Sequence, residues 1–311
     1  MAMAIVATSA GLLLIAAALL DIFQTLFHPA GRGAMSDWTA KLTWRLFRLV
    51  ATKKPRVLTY AGPTAILLNI VSWAAFTWFG FALIYLPQLA TGFDFNQSHS
   101  PIAHDGIAEA LSLSIGALIT LSEGTYAKFH WLQFVRGAEA VLGFGLLTAS
   151  VSWLLSIYPV LESRRAIAQR ATLLHHAERE GHLDLVRDAT DHAQDWIFAL
   201  GTDLASLRNQ MAQFPITYYF DMGEPETALA GALSYLLELA NRASAAQDHG
   251  MKIAGTVLGG AVESFLELLA TDFLSMPEHD KNAILRAYAR EQMSDLILQK
   301  RTIPYSRRKA S

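Results

Sequence analysis

Three long stretches of the chain are almost continuously apolar, and the segments between them differ sharply in character. The first covers 4–27 and is broken mainly by Asp21 and Gln24. The second covers 65–89, carries no charge and gathers Trp73, Phe76, Trp78 and Phe79 near its middle. The third covers 134–161, with Arg136 and Glu139 at its start. Roughly 20 residues of helix cross the hydrocarbon of a bilayer, so each stretch predicts a spanning helix. A cleaved leader is the other reading of the first stretch, but no basic residue precedes Arg32, as a leader would require. Asp21 is costly in lipid, so it is expected to face another helix or lie near the interface.

A further apolar segment, 107–121, is of another kind. It carries Glu109 and several small hydroxyl residues, and roughly 15 residues are short for a span. Its topology is constrained by the cations on either side. Arg32, Lys41, Arg45, Arg48, Lys53, Lys54 and Arg56 lie between the first two stretches, against one acid, Asp37. Arg164, Arg165 and Arg170 follow the third. Positive residues mark the inner side, which places the N-terminus outside and the C-terminal half in the cytoplasm of a cell with a multi-pass protein in its plasma or inner membrane. Segment 107–121 then has to enter from outside and return. Irregular backbone at that depth is tolerated only where protein buries it or where it lines a watery cavity. That already predicts a pore.

The linker between the first two spans has its own pattern. Trp38, Leu42, Leu46 and Val50 recur at helical spacing among the cations. This predicts either a helix lying on the inner leaflet, with anionic lipid against the basic segment 32–56, or an amphipathic connector packed on protein.

After residue 161 the pattern becomes that of helices in water. Most of the 25 Lys and Arg and of the 27 Asp and Glu fall here. Leu185, Ala189, Ala193, Trp196, Leu200, Leu204, Leu207 and Met211 form one stripe on a helix of about 30 residues, suited to a bundle core or a coiled-coil seam. Segment 164–180 continues the third span or starts a new helix. Further helices are expected near 226–247, with Pro225 in a first turn, and near 252–275 and 278–299. The apolar run 253–262 is too short to span, and Glu263 and Glu267 follow it. Arg307, Arg308 and Lys309 form a basic tail. The predicted class is an all-α membrane protein: three transmembrane helices plus a re-entrant segment, followed by an all-helical cytoplasmic domain. Its parts are 1–30, 31–60, 61–161 and 162–311.

Composition narrows the chemistry. Hydrophobic residues are 52% and charged residues 17%, against about 25% charged in soluble domains. A net charge of −2 argues against nucleic acid as a partner. There is no cysteine, which removes disulfides, thiolate metal sites and thiol nucleophiles. His175, His176, Glu178, Glu180 and His182 lack a second ligand group at a known spacing, so they read as a solvated helix face and not as a metal site. No nucleophile–base constellation points to an enzyme. No G-x-G-x-x-G follows a strand, and no span has the regular arginines of a voltage sensor.

The re-entrant segment is where the chain becomes familiar. Ala110-Leu111-Ser112-Leu113-Ser114-Ile115-Gly116-Ala117-Leu118-Ile119-Thr120-Leu121-Ser122-Glu123-Gly124 resembles the pore helix and filter of potassium-channel-like proteins, where the filter reads T-V-G-Y-G. Arg136-Gly137-Ala138-Glu139-Ala140-Val141-Leu142-Gly143 is similar to the start of the inner helix in bacterial two-span pore-loop channels, and Gly143 and Gly145 sit where such helices bend. The resemblance covers 65–160. It implies a homotetramer in which four chains each supply one pore loop, with permeant cations and no other cofactor.

The filter departs from that family. Thr120, Leu121 and Gly124 fit, but Ser122 replaces the first filter glycine and Glu123 the tyrosine. Such filters replace the hydration shell of potassium with backbone carbonyls, and glycine serves there because it accepts φ > 0 at little cost. An acid at this place is similar to what the bacterial sodium–potassium channel and cyclic-nucleotide-gated channels carry. Glu123 either faces the lumen, as one of four carboxylates, or backs the filter near Arg136. The implied activity is a weakly selective cation channel. A potassium-selective channel with a variant filter and a non-conducting receptor or scaffold are the alternatives. Arg136 and Glu139, at i,i+3, are expected to pair behind the filter or as an interfacial anchor. Asp94, Asp105 and Glu109 either enrich cations at the outer mouth or belong to a solvated loop. Pro159 is expected to end or kink the inner helix.

Overall fold

The computed structural model describes residues 1–28, 31–51, 55–94, 106–121, 125–188, 192–220, 228–276 and 280–292. Two compact units can be distinguished: 1–39 with 66–156, and 40–65 with 157–311. Among the described residues, four helical stretches are long and apolar enough to cross a membrane: Ala2–Leu26, Val57–Gly92, His130–Gly181 and His249–Leu274.

In the first unit, α1 (Ala2–Leu26) buries Gly11, Ile15, Ala18, Asp21 and Thr25, which recur every three or four residues along one face. The remainder of its surface, including Leu12, Leu13, Leu20 and Phe23, is exposed. That single narrow stripe meets α3 (Ala61–Tyr85) at small residues. A Cβ on Gly80 would come within 2.9 Å of the Gly11 carbonyl oxygen and 2.6 Å of Ile15 Cγ1. Where lipid covers everything else, close backbone approach through small residues is the usual means of holding two helices together.

Asp21 takes the expected helix-facing alternative. α2 (Ala34–Ala51) begins directly against it. The Asp21 carboxylate accepts hydrogen bonds from the backbone N–H of Met35 (2.8 Å) and Ser36 (3.3 Å), from Ser36 Oγ (2.5 Å) and from Trp73 Nε1 (2.7 Å). It thus satisfies otherwise unpaired N–H groups at a helix N-terminus, where the helix dipole also favours a negative charge. Trp73 in turn packs against Trp153, with ring centroids 5.4 Å apart. The linker stripe Trp38, Leu42, Leu46 and Val50 is exposed, and the opposite face, Ser36, Ala40, Thr43 and Trp44, is buried.

After α3 come a 3-10 turn (Leu86–Gln88), the single-turn α4 (Leu89–Gly92), α5 (Ile107–Leu118) and α6 (His130–Gly181). Among the described residues the only strands are β1 (Phe93–Asp94) and β2 (Tyr126–Ala127), an antiparallel pair with Phe93 opposite Ala127. Of the two expectations for Pro159, an end or a kink, α6 overturns the first: Pro159 lies inside the helix and does not end it. Segment 164–180 is therefore the same helix as the third span.

The second unit is a helical bundle of α7 (Ala193–Gln213), α8 (Leu229–Ser244), α9 (His249–Leu268, extended by a π turn over Leu269–Leu274) and α10 (Lys281–Gln292). α7 is shorter than its stripe predicted. Leu185 lies in a turned segment before the helix, and Ala189 lies outside the described residues. Leu200, Leu204, Leu207 and Met211 are buried as predicted, but Trp196 is exposed and Ile197 takes its place in the core. Pro225 lies outside the described residues, as does the basic tail. The run 253–262 also differs: it belongs to a helix of 26 residues, including the π turn, long enough to cross a membrane. Its buried face packs on α7 and α8, while Lys252, Glu263 and Glu267 occupy the exposed one.

The histidine-rich turn is absorbed by the same bundle. Glu178 pairs with Arg242 at 2.9 Å, and Arg242 also reaches Asp184 at 3.1 Å. His175 stacks on Tyr235, with centroids 4.8 Å apart. His176 and Glu180 stand 3.8 Å apart, both largely exposed.

Arg164, one turn past Pro159 on α6, is almost wholly buried. It donates to the carbonyls of Thr217 and Phe220 (3.0 Å each), to Tyr288 Oη (3.2 Å) and to Gln292 Oε1 (3.0 Å). Gln292 Nε2 donates to the Tyr218 carbonyl at 2.8 Å. Segment 215–220 thus receives α6 and α10, and it also touches the start of α3, because a Cβ on Gly62 would overlap the Phe220 ring.

Replacing Asp21 with Ala leaves buried donors of Trp73 and Ser36 without acceptors. We expect Asp21→Ala to cost about 3 kcal/mol, since each orphaned buried donor costs roughly 1–3 kcal/mol. Unfolding in detergent, followed by Trp fluorescence, measures it.

Candidate functional site

The segment predicted to be re-entrant is a helix of 12 residues, α5, too short to cross. Its middle is held by polar contacts to α3 and α6. Trp78 Nε1 of α3 donates to the Leu111 carbonyl at 2.8 Å. The Ser114 hydroxyl lies 2.9 Å from the Trp78 carbonyl and 2.5 Å from Glu139 Oε1 of α6. The Tyr85 hydroxyl donates to Glu139 Oε2 at 2.6 Å. Tyr85, Ser114 and Glu139 have no exposed surface. Around them Ile15, Phe81, Ile84, Leu89, Leu113 and Leu132 form an apolar core.

The C-terminal end of α5 is a Schellman motif. Leu121 N–H bonds the Gly116 carbonyl (2.7 Å) and Thr120 N–H the Ala117 carbonyl (3.0 Å). Thr120 takes the left-handed position with φ 58°, a conformation that a β-branched residue rarely adopts. Ile119, Thr120 and Leu121 are exposed. Gly143 explains how α6 passes so close: a Cβ there would overlap the Leu118 carbonyl. Gly145 faces open space, and α6 is continuous through both glycines.

The far side of the loop is anchored separately. Arg136 Nη1 donates to the Thr125 carbonyl (2.7 Å) and Gln133 Nε2 to the Ala127 carbonyl (3.0 Å). Lys128 N–H bonds the Gly92 carbonyl (2.8 Å) beside the β1–β2 ladder. Ser122, Glu123 and Gly124 lie outside the described residues, as does Asp105. The chain segments on both sides of that triplet are thus fixed to α3 and α6.

The expected Arg136–Glu139 pair is not formed directly. Arg136 turns to the loop backbone, and Glu139 turns to Tyr85 and Ser114. The reason is reach. Three residues apart on α6, the two side chains diverge toward different unsatisfied groups, and each finds one that the other cannot serve. Sequence reading missed Tyr85, Trp78 and Ser114 as partners. A lone acid inside an apolar stretch signals that donors must be near, but it does not name them.

A curated relative, the uncharacterized membrane protein YdjJ of Bacillus subtilis (strain 168), is 26% identical over 232 residues, covering 74% of this chain and 67% of the relative. No family model matches the chain, and no solved structure matches it. The chain is a multi-pass membrane protein, homologous to a bacterial membrane protein.

Two substitutions separate the roles within this cluster. Glu139→Ala strands the Tyr85 hydroxyl in a dry core, leaves Ser114 only the Trp78 carbonyl and is expected to cost about 3 kcal/mol, whereas Tyr85→Phe, which removes one bond, costs about 1–2 kcal/mol. Gly143→Ala is expected to push α5 off α6 and to cost about 1–3 kcal/mol by overpacking. Thermal melts in detergent rank all three.

Proposed function

We propose that this chain is the subunit of a homotetrameric, weakly selective cation channel, with its N-terminus outside and the α7–α10 bundle in the cytoplasm. The observation that carries the reading is α5: a helix too short to cross, pinned between α3 and α6, that ends with exposed residues just before Ser122-Glu123-Gly124. A backbone segment that stops at membrane depth needs either protein or a watery cavity on its open side. Four copies around an axis supply both.

The surface of α6 supports the same arrangement. Val141, Phe144, Leu147, Val151, Leu155 and Tyr158 form an exposed apolar band along it. Ile119, Leu121 and Tyr126 beside the loop are also exposed. In a tetramer, sister subunits and lipid cover these residues. α9 belongs to the cytoplasmic bundle in this reading, because its open face carries Lys252, Glu263 and Glu267. In lipid those charges would each cost several kcal/mol, roughly 2.5–3.5 for an acid or lysine at the centre of a span. Glu123 supplies four carboxylates to the ion path, and Ser122 replaces a glycine that a full stack of carbonyl sites requires.

Proteoliposomes under opposed potassium, sodium and calcium gradients test the proposal. Flux of both monovalent cations is the expected result, and Glu123→Gln is expected to reduce cation uptake and shift the ion preference. Potassium flux alone supports the selective variant. A tetrameric preparation that passes no ion removes the channel reading in favour of a receptor or scaffold.

A further inference from the structure

The open face of α2 carries an apolar ridge and a row of cations side by side. Trp38, Leu42, Leu46 and Leu49 are exposed, Leu49 at 71%. Arg45 and Arg48 are exposed beside them. α2 lies in the chain between two helical stretches of spanning length, so a bilayer surface is close to both of its ends. Apolar residues flanked by arginines on one helix face suit the boundary between headgroups and acyl chains, and anionic headgroups suit the arginines.

Arg48 also has a protein partner. It pairs with Glu291 of α10 at 3.3 Å, with the two side chains 46% and 22% exposed. Glu291 additionally accepts the Tyr218 hydroxyl at 2.5 Å. The same last turn of α10 supplies Gln292 and Tyr288 to the buried Arg164. We propose that α2 docks on anionic phospholipid headgroups and that Arg48 is shared between a lipid phosphate and Glu291, so that lipid charge loosens the last turn of α10.

Magnitudes favour a shared residue over a fixed one. A solvent-exposed ion pair contributes about as much as the attraction of one cation to an anionic leaflet. Neither partner dominates, so the composition of the leaflet decides. A phosphate can also take the guanidinium by two parallel hydrogen bonds. When Arg48 turns to lipid, Glu291 keeps Tyr218 and loses its cation. This coupling does not depend on whether ions pass through the protein.

The test uses the full chain in vesicles of phosphatidylcholine alone or mixed equally with phosphatidylglycerol, with hydrogen exchange read on peptides from 281–292. The wild type is expected to exchange about two- to fivefold faster there in the mixed vesicles, the span that an exposed pair allows. Arg48→Gln is expected to exchange fast in both vesicles. Arg45→Gln, which leaves the Glu291 pair intact, is expected to exchange slowly in phosphatidylcholine and to respond less to phosphatidylglycerol. Equal exchange of the wild type in the two vesicles overturns the proposal, and so does a full lipid response in Arg48→Gln.

Discussion

Glu139 has no exposed surface and lies between the hydroxyl of Tyr85 on α3 and that of Ser114 on α5. A carboxyl group with no exposed surface cannot turn to water, so protein donors have to replace it. A short helix packed among long apolar helices faces the same requirement for its own polar groups. The two requirements are met by one arrangement. Glu139 fixes Ser114, the Ser114 hydroxyl reaches the Trp78 carbonyl, and the Trp78 indole returns a bond to Leu111 one turn earlier on α5. The position of α5 is thus set by polar contacts on one face, and its packing on Gly143 follows from that position. Apolar contacts alone would not fix it, since Leu and Ile pack equally well against lipid.

Asp21 repeats the solution elsewhere in the same unit. It too is a buried acid in an apolar helix, and its described partners are N–H and O–H donors and no cation. Its partners come from the N-terminus of α2 and from Trp73. A carboxylate met by fixed dipoles keeps its geometry better than one met by a flexible lysine, because fewer rotatable bonds need ordering. Gly33 makes this possible: a Cβ there would overlap the carboxylate itself. The turn from α1 into α2 is therefore determined by one acid and one glycine.

How much of this was legible in the sequence depends on the kind of signal. The long apolar runs each fall on a helical stretch of spanning length, because a bilayer selects on length and polarity, but the stretches 57–92 and 130–181 run well past the runs 65–89 and 134–161, and the candidate at 249–274 was read as too short. The shortness of 107–121 marked it as different, and α5 occupies 107–118. Asp21 announced itself as an acid in need of a partner, but the partners included a helix start 14 and 15 residues further on, which no local pattern displays. The Arg136–Glu139 spacing suggested a pair on periodicity, and the tertiary surroundings offered each residue something better. Pro159 carries a local signal for a helix end or a kink, and α6 runs on past it. The loss of one N–H is small against the contacts that α6 makes beyond it. The Leu185 stripe failed at its start because apolar spacing does not report where a turn intervenes.

Arg164 shows why α6 continues. Among the described residues no carboxylate pairs with it, so its charge is held by carbonyl, hydroxyl and amide dipoles. Burying a guanidinium is costly unless its donors are matched. The match needs two backbone carbonyls, and the 3-10 turn at Pro215–Tyr219 supplies that of Thr217 and the residue after it, Phe220, the other. It also needs Tyr288 and Gln292, two residues of α10 one turn apart, held in place by Gln292 bonding back to Tyr218. Tyr218 is itself fixed by stacking on Phe273, with ring centroids 4.2 Å apart. The two Nη groups of Arg164 are satisfied only if these partners are present together, while its buried Nε has no hydrogen-bond partner among the described residues. Segments from three distant parts of the chain, 157–181, 215–220 and 281–292, therefore form together or not at all, and the helix past Pro159 is stabilised by that closure and not by its own propensity.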